Sequence, residues 1–355
     1  FNDLCGFREE EIRDALRMTA AECSLDDRKA EDALSLMRVY YNGHMFSQEA
    51  EELVYNPTLS LYFMKAFHNK CKYPREMLDE NLATDEAKLR YVSHIAKGRE
   101  LLAKLMRKDD QLISRLSSRF GIHKMLSDHS RDSRFIASFL YYFGVLTINR
   151  ETEEGEINLK IPNLVIRSLY AERIREMLLP DPNDRDDGVI AAKELYTKGN
   201  MKPLCDFIET SFFKVFHNPD YKWANELTVK TIFLTLLYND ILFIMDSEQE
   251  IGRRYTDLTM IVRPDMKRFK VSDILIEFKY VKLKEAKITG EKAGKLTEKE
   301  LQELPVMKEN MEQAKNQVRQ YGDELERKYS DLRLRRYAVV SLGFERLWWE
   351  EILKK

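Results

Sequence analysis

Hydrophobic spacing along the first third of the chain is helical. Ile12, Ala15, Leu16 and Thr19 share one face of a helix expected over Glu9–Cys23, and Asp26–Asp27 caps a second running toward Tyr40. Tyr40-Tyr41-Asn42-Gly43-His44 is a turn signal. Tyr55-Asn56-Pro57 is another, with a helix over Leu59–Phe67 opening after its proline. Glu86–Ser117 has the spacing of a long, polar-rich helix.

The pattern changes near Ser133. Phe135–Phe143 is a strongly apolar helix stopped by Gly144. Val145–Ile148 and Ile157–Ile161 are predicted strands around a charged turn at Glu151–Glu156, and a helix over Val165–Leu178 follows Pro162. Helix, hairpin, helix in this order resembles a winged-helix unit, a type of module that binds protein as well as DNA. Pro180–Gly188, with two prolines, a glycine and four aspartates, is expected to be a linker. Helices are expected beyond it at Ile190–Thr197, Leu204–Phe216 and Asn225–Tyr238. Strands follow at Tyr255–Val262 and Ile274–Tyr280, then a Lys/Glu-rich loop at Lys282–Lys299 and a long helix over Glu300–Tyr329. A short buried strand at Tyr337–Leu342 closes at Gly343, and an amphipathic end carries Trp348 and Trp349. The fold class predicted is α+β: a helical N-terminal half, then a mixed sheet flanked by helices.

Composition narrows this picture. At 355 residues the chain has room for about two or three domains. Its hydrophobic share of 44% supports a packed core and excludes wholesale disorder. Only 13 glycines and 9 prolines favour long helices over a turn-rich sandwich. The mean hydropathy of −0.49 and the lack of a long apolar run give no membrane helix. A net charge of −2 excludes nucleic-acid binding by bulk basicity. Basic charge is local: residues 251–300 hold 13 Lys+Arg against 8 Asp+Glu, and Arg327, Lys328, Arg333, Arg335 and Arg336 form a second cluster. Cys5, Cys23, Cys71 and Cys205 are too dispersed for a zinc site or a disulfide framework, so they are expected to be buried free thiols in an intracellular, reducing compartment. The six histidines are equally scattered, which gives no metal motif.

The candidate chemistry lies in Ile274-Leu275-Ile276-Glu277-Phe278-Lys279. On a strand, Glu277 and Lys279 project from one face while Phe278 takes the other. A charged pair on an otherwise apolar strand is costly unless paired or metal-bound. Asp257 lies 20 residues upstream, ahead of the alternating apolar run of the first predicted strand, and an antiparallel hairpin brings it beside Glu277. Two carboxylates with a strand carbonyl suit Mg²⁺, with Mn²⁺ as a substitute. Arg253, Arg254, Lys282 and Lys284 flank these strands as candidate phosphate contacts.

Asp257 with Glu277-Phe278-Lys279 resembles the D…(D/E)XK pattern of the PD-(D/E)XK nuclease superfamily. Glu226, before the first core strand, is similar to an acidic residue that many members contribute to the metal site, and Gln317-Val318-Arg319-Gln320-Tyr321 fits a QxxxY helix motif. The resemblance implies an α/β/α restriction-endonuclease-like core. It also implies Mg²⁺ on Asp257, Glu277 and Glu226, with Lys279, Gln317 and Tyr321 completing the catalytic set. The implied activity is phosphodiester hydrolysis of nucleic acid, DNA favoured; a binding module with a degenerate nuclease fold is the alternative.

A narrower resemblance covers the chain from about Tyr40. Tyr41–Phe46, Tyr55–Pro57, Phe139–Thr147 and Ile161–Asn163 with Arg167 follow in an order similar to AAA-ATPase-like proteins with a fused nuclease domain. It implies that the chain begins at Phe1 inside a larger protein and that self-association or a larger ATPase-like assembly is its setting. No GxxxxGK[ST] occurs in the chain. The expected domains are a helical region at 1–125, a winged-helix-like unit at 126–180 and a nuclease-like domain at 189–355.

Overall fold

The computed structural model describes residues 6–47, 49–78, 84–108, 110–117, 132–216, 228–246, 250–251, 254–255, 257–329 and 331–354. It divides into two compact units, Phe1–Ile174 and Arg175–Lys355.

In the first unit, α1 (Glu9–Glu22), α2 (Asp27–Tyr41) and α3 (Pro57–Lys70) follow the apolar spacing, burying Ile12, Leu16, Met37, Tyr41 and Phe63. Asp26 caps α2 by accepting from the Lys29 amide, and Asn56 caps α3 by accepting from the Leu59 amide, with Pro57 at the first turn. Cys23 and Cys71, at the C-terminal ends of α1 and α3, form a disulfide with Cα atoms 5.5 Å apart. Free thiols were the expectation at both positions; Cys205 is buried and free, and Cys5 lies outside the described residues. The pairing follows from helix packing across 48 residues, which cysteine spacing does not encode.

The long helix expected at Glu86–Ser117 is instead α4 (Thr84–Ser93), α5 (Ala96–Lys108) and a strand, β1 (Asp110–Ile113). β1 is drawn out of the helical pattern by antiparallel pairing with β3 (Ile157–Lys160), which also pairs with β2 (Thr147–Glu151) in the order β1-β3-β2. Asp132 caps the apolar helix α6 (Ser133–Tyr142) between them, Gly144 takes a left-handed φ of 75° after it, and α7 (Leu164–Leu178) follows β3.

In the second unit, Pro180–Gly188 is not an extended linker. Asp181 accepts from the Asn183 amide, Pro182 takes the first turn, and the helix α8 (Pro182–Lys198) runs through Gly188 to a left-handed Gly199. At Gly188 a Cβ would stand 3.1 Å from Phe207 and Leu236, so close helix contact accounts for a glycine there. α9 (Lys202–Phe207) continues into a π-helical turn over Ile208–Phe212, and α10 (Val229–Leu237) comes before the sheet.

That sheet has five strands: β4 (Phe243–Asp246), β7 (Leu258–Val262), β8 (Asp273–Val281), β9 (Leu334–Leu342) and β10 (Arg346–Glu351), ordered β10-β9-β8-β7-β4. β8 and β9 are parallel and the other pairs antiparallel, giving the expected mixed sheet. The two-residue strands β5 (Glu250–Ile251) and β6 (Arg254–Tyr255) pair separately. The amphipathic end with its two tryptophans is the edge strand β10. The loop at Lys282–Lys299 holds a short helix, α11 (Gly290–Gly294). The helix expected over Glu300–Tyr329 divides at Leu304 into α12 (Glu298–Glu303) and α13 (Pro305–Lys328), because Pro305 starts a new helix more readily than it continues one. α13 lays Met307, Met311, Ala314, Val318, Tyr321 and Leu325 on one sheet face, against Leu275, Val281, Ala338, Val340 and Leu342. On the other face Phe278 meets Phe233 of α10, ring centroids 4.9 Å apart. The result is an α/β/α core.

Candidate active site

β8 is buried on both faces over most of its length. Alternation fixes what each side chain meets: Glu277 and Lys279 fall in register with Leu275 and Val281, on the face that α13 covers. A carboxylate is therefore fixed in the core by strand geometry alone, and Glu277 is only 3% exposed.

The β7–β8 hairpin pairs Leu258 with Ile276, which sets Asp257 across from Glu277. Oδ2 of Asp257 accepts from the Phe278 amide at 2.9 Å, locking the carboxylate to the strand. Nζ of Lys279 donates to Oε1 of Glu277 at 3.2 Å. The other oxygen of Glu277, Oε2, is buried and has no hydrogen-bond partner among the described residues. Nζ of Lys230, in the first turn of α10, stands 4.0 Å from Oδ1 of Asp257.

Burial and then the charge of Asp257 push the Glu277 carboxyl up to about 7, against the opposing pull of Lys279 and of the Asp257 backbone amide. An orphaned buried oxygen beside a second carboxylate costs energy in the metal-free protein. The donor set is hard oxygen from two carboxylates, which is what Mg²⁺ accepts while keeping several waters. Asp257 and Glu277 thus fit a divalent cation. Among the described residues, no group of three or more His, Cys, Asp or Glu side chains is gathered for a metal.

Residues 224–351 match the family model of the PD-(D/E)XK nuclease superfamily. This segment is a PD-(D/E)XK nuclease superfamily domain. The five-strand mixed sheet matches that core. No curated protein and no solved structure matches the chain. The matched segment begins well after the first unit, and nothing in these comparisons supports an AAA-ATPase-like part.

The domain brings together Asp257, Glu277 and Lys279. Gln317 and Tyr321 lie on α13, over the same sheet face; Tyr321 is part of the buried core and Gln317 is half-buried. Lys282 and Lys284 are exposed in the turn just after β8. Glu226 and Arg253 lie outside the described residues, as does the side chain of Arg254. Lys230 was missed by sequence reasoning. Its one signal was the helix start at Thr228, whose hydroxyl accepts from the Thr231 amide and sets Lys230 in the first turn.

A separate cavity of about 220 Å³ at the β10 edge is lined by Lys202, Asp206, Glu209, Glu298, Arg346 and Trp348, among others. Its charges pair among themselves: Lys202 with Asp206 and Glu298, Arg346 with Glu209. That closed network ties α9 and its π-helical turn to the sheet edge, where Glu209 also accepts from the Leu347 amide.

Proposed function

We propose that the C-terminal domain is a metal-dependent phosphodiesterase acting on nucleic acid, with DNA as the favoured substrate. The observation that carries this reading is the buried Oε2 of Glu277, without a hydrogen-bond partner among the described residues, on a carboxyl that the charge of Asp257 also pushes up. Asp257 and Glu277 would hold Mg²⁺, which supplies a polarised phosphate and an acidified water when bound. The Phe278 amide holds Asp257 in place, and Lys279 orients Glu277 through Oε1. The Lys279 ammonium also stands where it can offset negative charge growing on the phosphate oxygens. Lys282 and Lys284, exposed just past β8, supply positive charge for the flanking backbone. Glu226, Gln317 and Tyr321 complete the proposed set on sequence resemblance.

For the first unit we propose a winged-helix-like module and descent from an AAA-ATPase-like domain. The former is supported by the β1-β3-β2 sheet with α6 between β1 and β2, the latter by the order of sequence motifs alone. Glu151, Glu153, Glu154 and Glu156 crowd the β2–β3 turn and oppose phosphate contact there, which leaves the DNA role to the second unit.

The test is cleavage of linear and single-stranded DNA with Mg²⁺, Mn²⁺ or EDTA. The expected result is metal-dependent cleavage, lowered by about a thousandfold or more in Asp257→Ala and Lys279→Ala with unchanged folding. Cleavage by both variants unchanged from wild type sinks the assignment. A complete lack of cleavage, with DNA still bound, points to the degenerate binding module.

A further inference from the structure

Aromatic rings gather on the surface where β8 ends. Gly343, at a left-handed φ of 56° in the β9–β10 turn, donates its amide to the Val281 carbonyl at 2.8 Å and ties that turn to the last residue of β8. Phe344 follows it. Its ring stacks on that of Phe216, with centroids 4.2 Å apart and planes 1° from parallel, and meets Tyr280 at 5.5 Å. The buried ring of Phe213 packs edge-on against Phe344 at 5.7 Å and holds the group to the core. Tyr280 is 47% exposed, and Phe216 and Phe344 are half-buried. Three rings are thus held rigidly with one of them largely in solvent.

Their place relative to the site follows from the sheet. β7 pairs with β8 only as far as Ile276, so from Glu277 to Val281 β8 pairs with β9 alone among the described residues. That open edge joins the face carrying Glu277 and Lys279 to the face carrying Tyr280. Tyr280 lies three residues beyond Glu277, about 10 Å along the strand, or about three nucleotides at a stacked rise of 3.4 Å. The charges around the rings divide by ligand part. Lys214, Lys282 and Lys284 are exposed beside them in sequence and suit phosphates. Glu285 and Glu345 stand near the Tyr280 hydroxyl and, after burial, raise it above its ordinary value. Carboxylates at that spot repel a phosphate, but they accept from the amino groups of bases.

Resting on the nuclease reading above, we propose that Tyr280, Phe344 and Phe216 form a stacking platform for unpaired bases, so that the strand entering the site is single-stranded nucleic acid. In a duplex each base face is covered by its neighbours, and only an unpaired strand has a face to offer a ring. Stacking accepts every base, so the platform selects strandedness and not sequence.

The test uses the full chain and labelled oligonucleotides of one length: a single strand, the same strand made abasic, and a blunt duplex. Binding is read by fluorescence anisotropy in Ca²⁺ over a salt series. Wild type should bind the base-bearing strand about tenfold or more tightly than the abasic one. Tyr280→Ala should bind the base-bearing strand about five- to tenfold more weakly, with the abasic strand and the duplex changed less than about twofold and the salt slope unchanged, since no charge is removed. Tyr280→Trp, which keeps a stacking ring, should restore the preference. A ring that only closes the strand end would weaken all three probes together when removed, or change none, and either result overturns the proposal. Equal binding of base-bearing and abasic strands by wild type overturns it without recourse to a variant. Mg²⁺-dependent cleavage by wild type separates the two levels of the argument. If cleavage occurs and no preference for bases is seen, the platform fails and the nuclease reading stands. If the preference is present and metal-dependent cleavage is absent, the nuclease reading fails and the platform is the surface of a binding module.

Discussion

Two carboxylates on β8, four residues apart and equally buried, do opposite things. Asp273 is 2% exposed and Glu277 3%. At the start of the strand, Oδ1 of Asp273 accepts from the Val262 amide at 2.8 Å and Oδ2 from the Arg333 amide at 2.7 Å. It stitches β7, β8 and the entry to β9 together, and both oxygens are used. At mid-strand, Glu277 has one oxygen on Lys279 and one with no partner among the described residues, and Asp257 stands across from it on the hairpin. Burial alone therefore does not mark a functional acid. What marks it is unspent acceptor capacity in a place where desolvation makes that expensive.

The comparison can be broken most forcefully at Asp273. Asp273→Ala strands the Val262 amide in the core, frees the Arg333 amide at the entry to β9, and should destabilise the domain by about 3 kcal/mol, measured by urea denaturation. An effect below 1 kcal/mol would show that Asp273 is not the staple its contacts indicate.

A smaller effect of opposite sign is expected at Glu277. Its folded pKa, about 7, lies above the ordinary 4.5. The folded state thus holds the proton more tightly than the unfolded one. That contribution to stability is complete below pH 4.5, declines as pH rises through 7, and is lost above it. In EDTA at pH 8, Glu277→Gln should then be more stable than wild type by about 1–3 kcal/mol, with the gap closing toward pH 4. A variant less stable than wild type at pH 8 would mean that Glu277 is structural like Asp273.

The smallest effect belongs to Lys279. Lys279→Gln removes the cation that opposes the Glu277 shift, and should lower metal-free stability at pH 8 by about 0.5–1 kcal/mol. Placing this loss on the Glu277→Gln background should abolish it, since no carboxylate remains to pair.

Much of this was legible in the chain. The apolar run Ile274–Ile276 followed by Glu277 and Lys279 states that a charged pair sits on a buried strand, and the hairpin distance to Asp257 follows from strand length. Caps at Asp26 and Asn56 were equally plain because they act through neighbours in sequence. What stayed hidden depends on distant partners. β1 was written in helix-compatible residues and becomes a strand only by pairing with β3. Gly188 signals a break, yet it is a point of close contact with Phe207 and Leu236. The Cys23–Cys71 bond needs α1 and α3 already packed. Asp273 and Glu277 look alike in sequence, since the amides that satisfy one belong to Val262 and Arg333. The breaks at Pro182 and Pro305 are different: a proline in the first turn was there to be read as a helix start.

The most direct test of the central claim, that Glu277 is an acid held ready for a divalent cation, is Mg²⁺ titration by calorimetry at pH 8. Wild type and Glu277→Gln, both stripped with EDTA and exchanged into chelator-free buffer, are compared. The expected result is saturable Mg²⁺ binding in wild type and its loss in the variant, with the fold of both intact. Equal Mg²⁺ binding by the two proteins would contradict the claim.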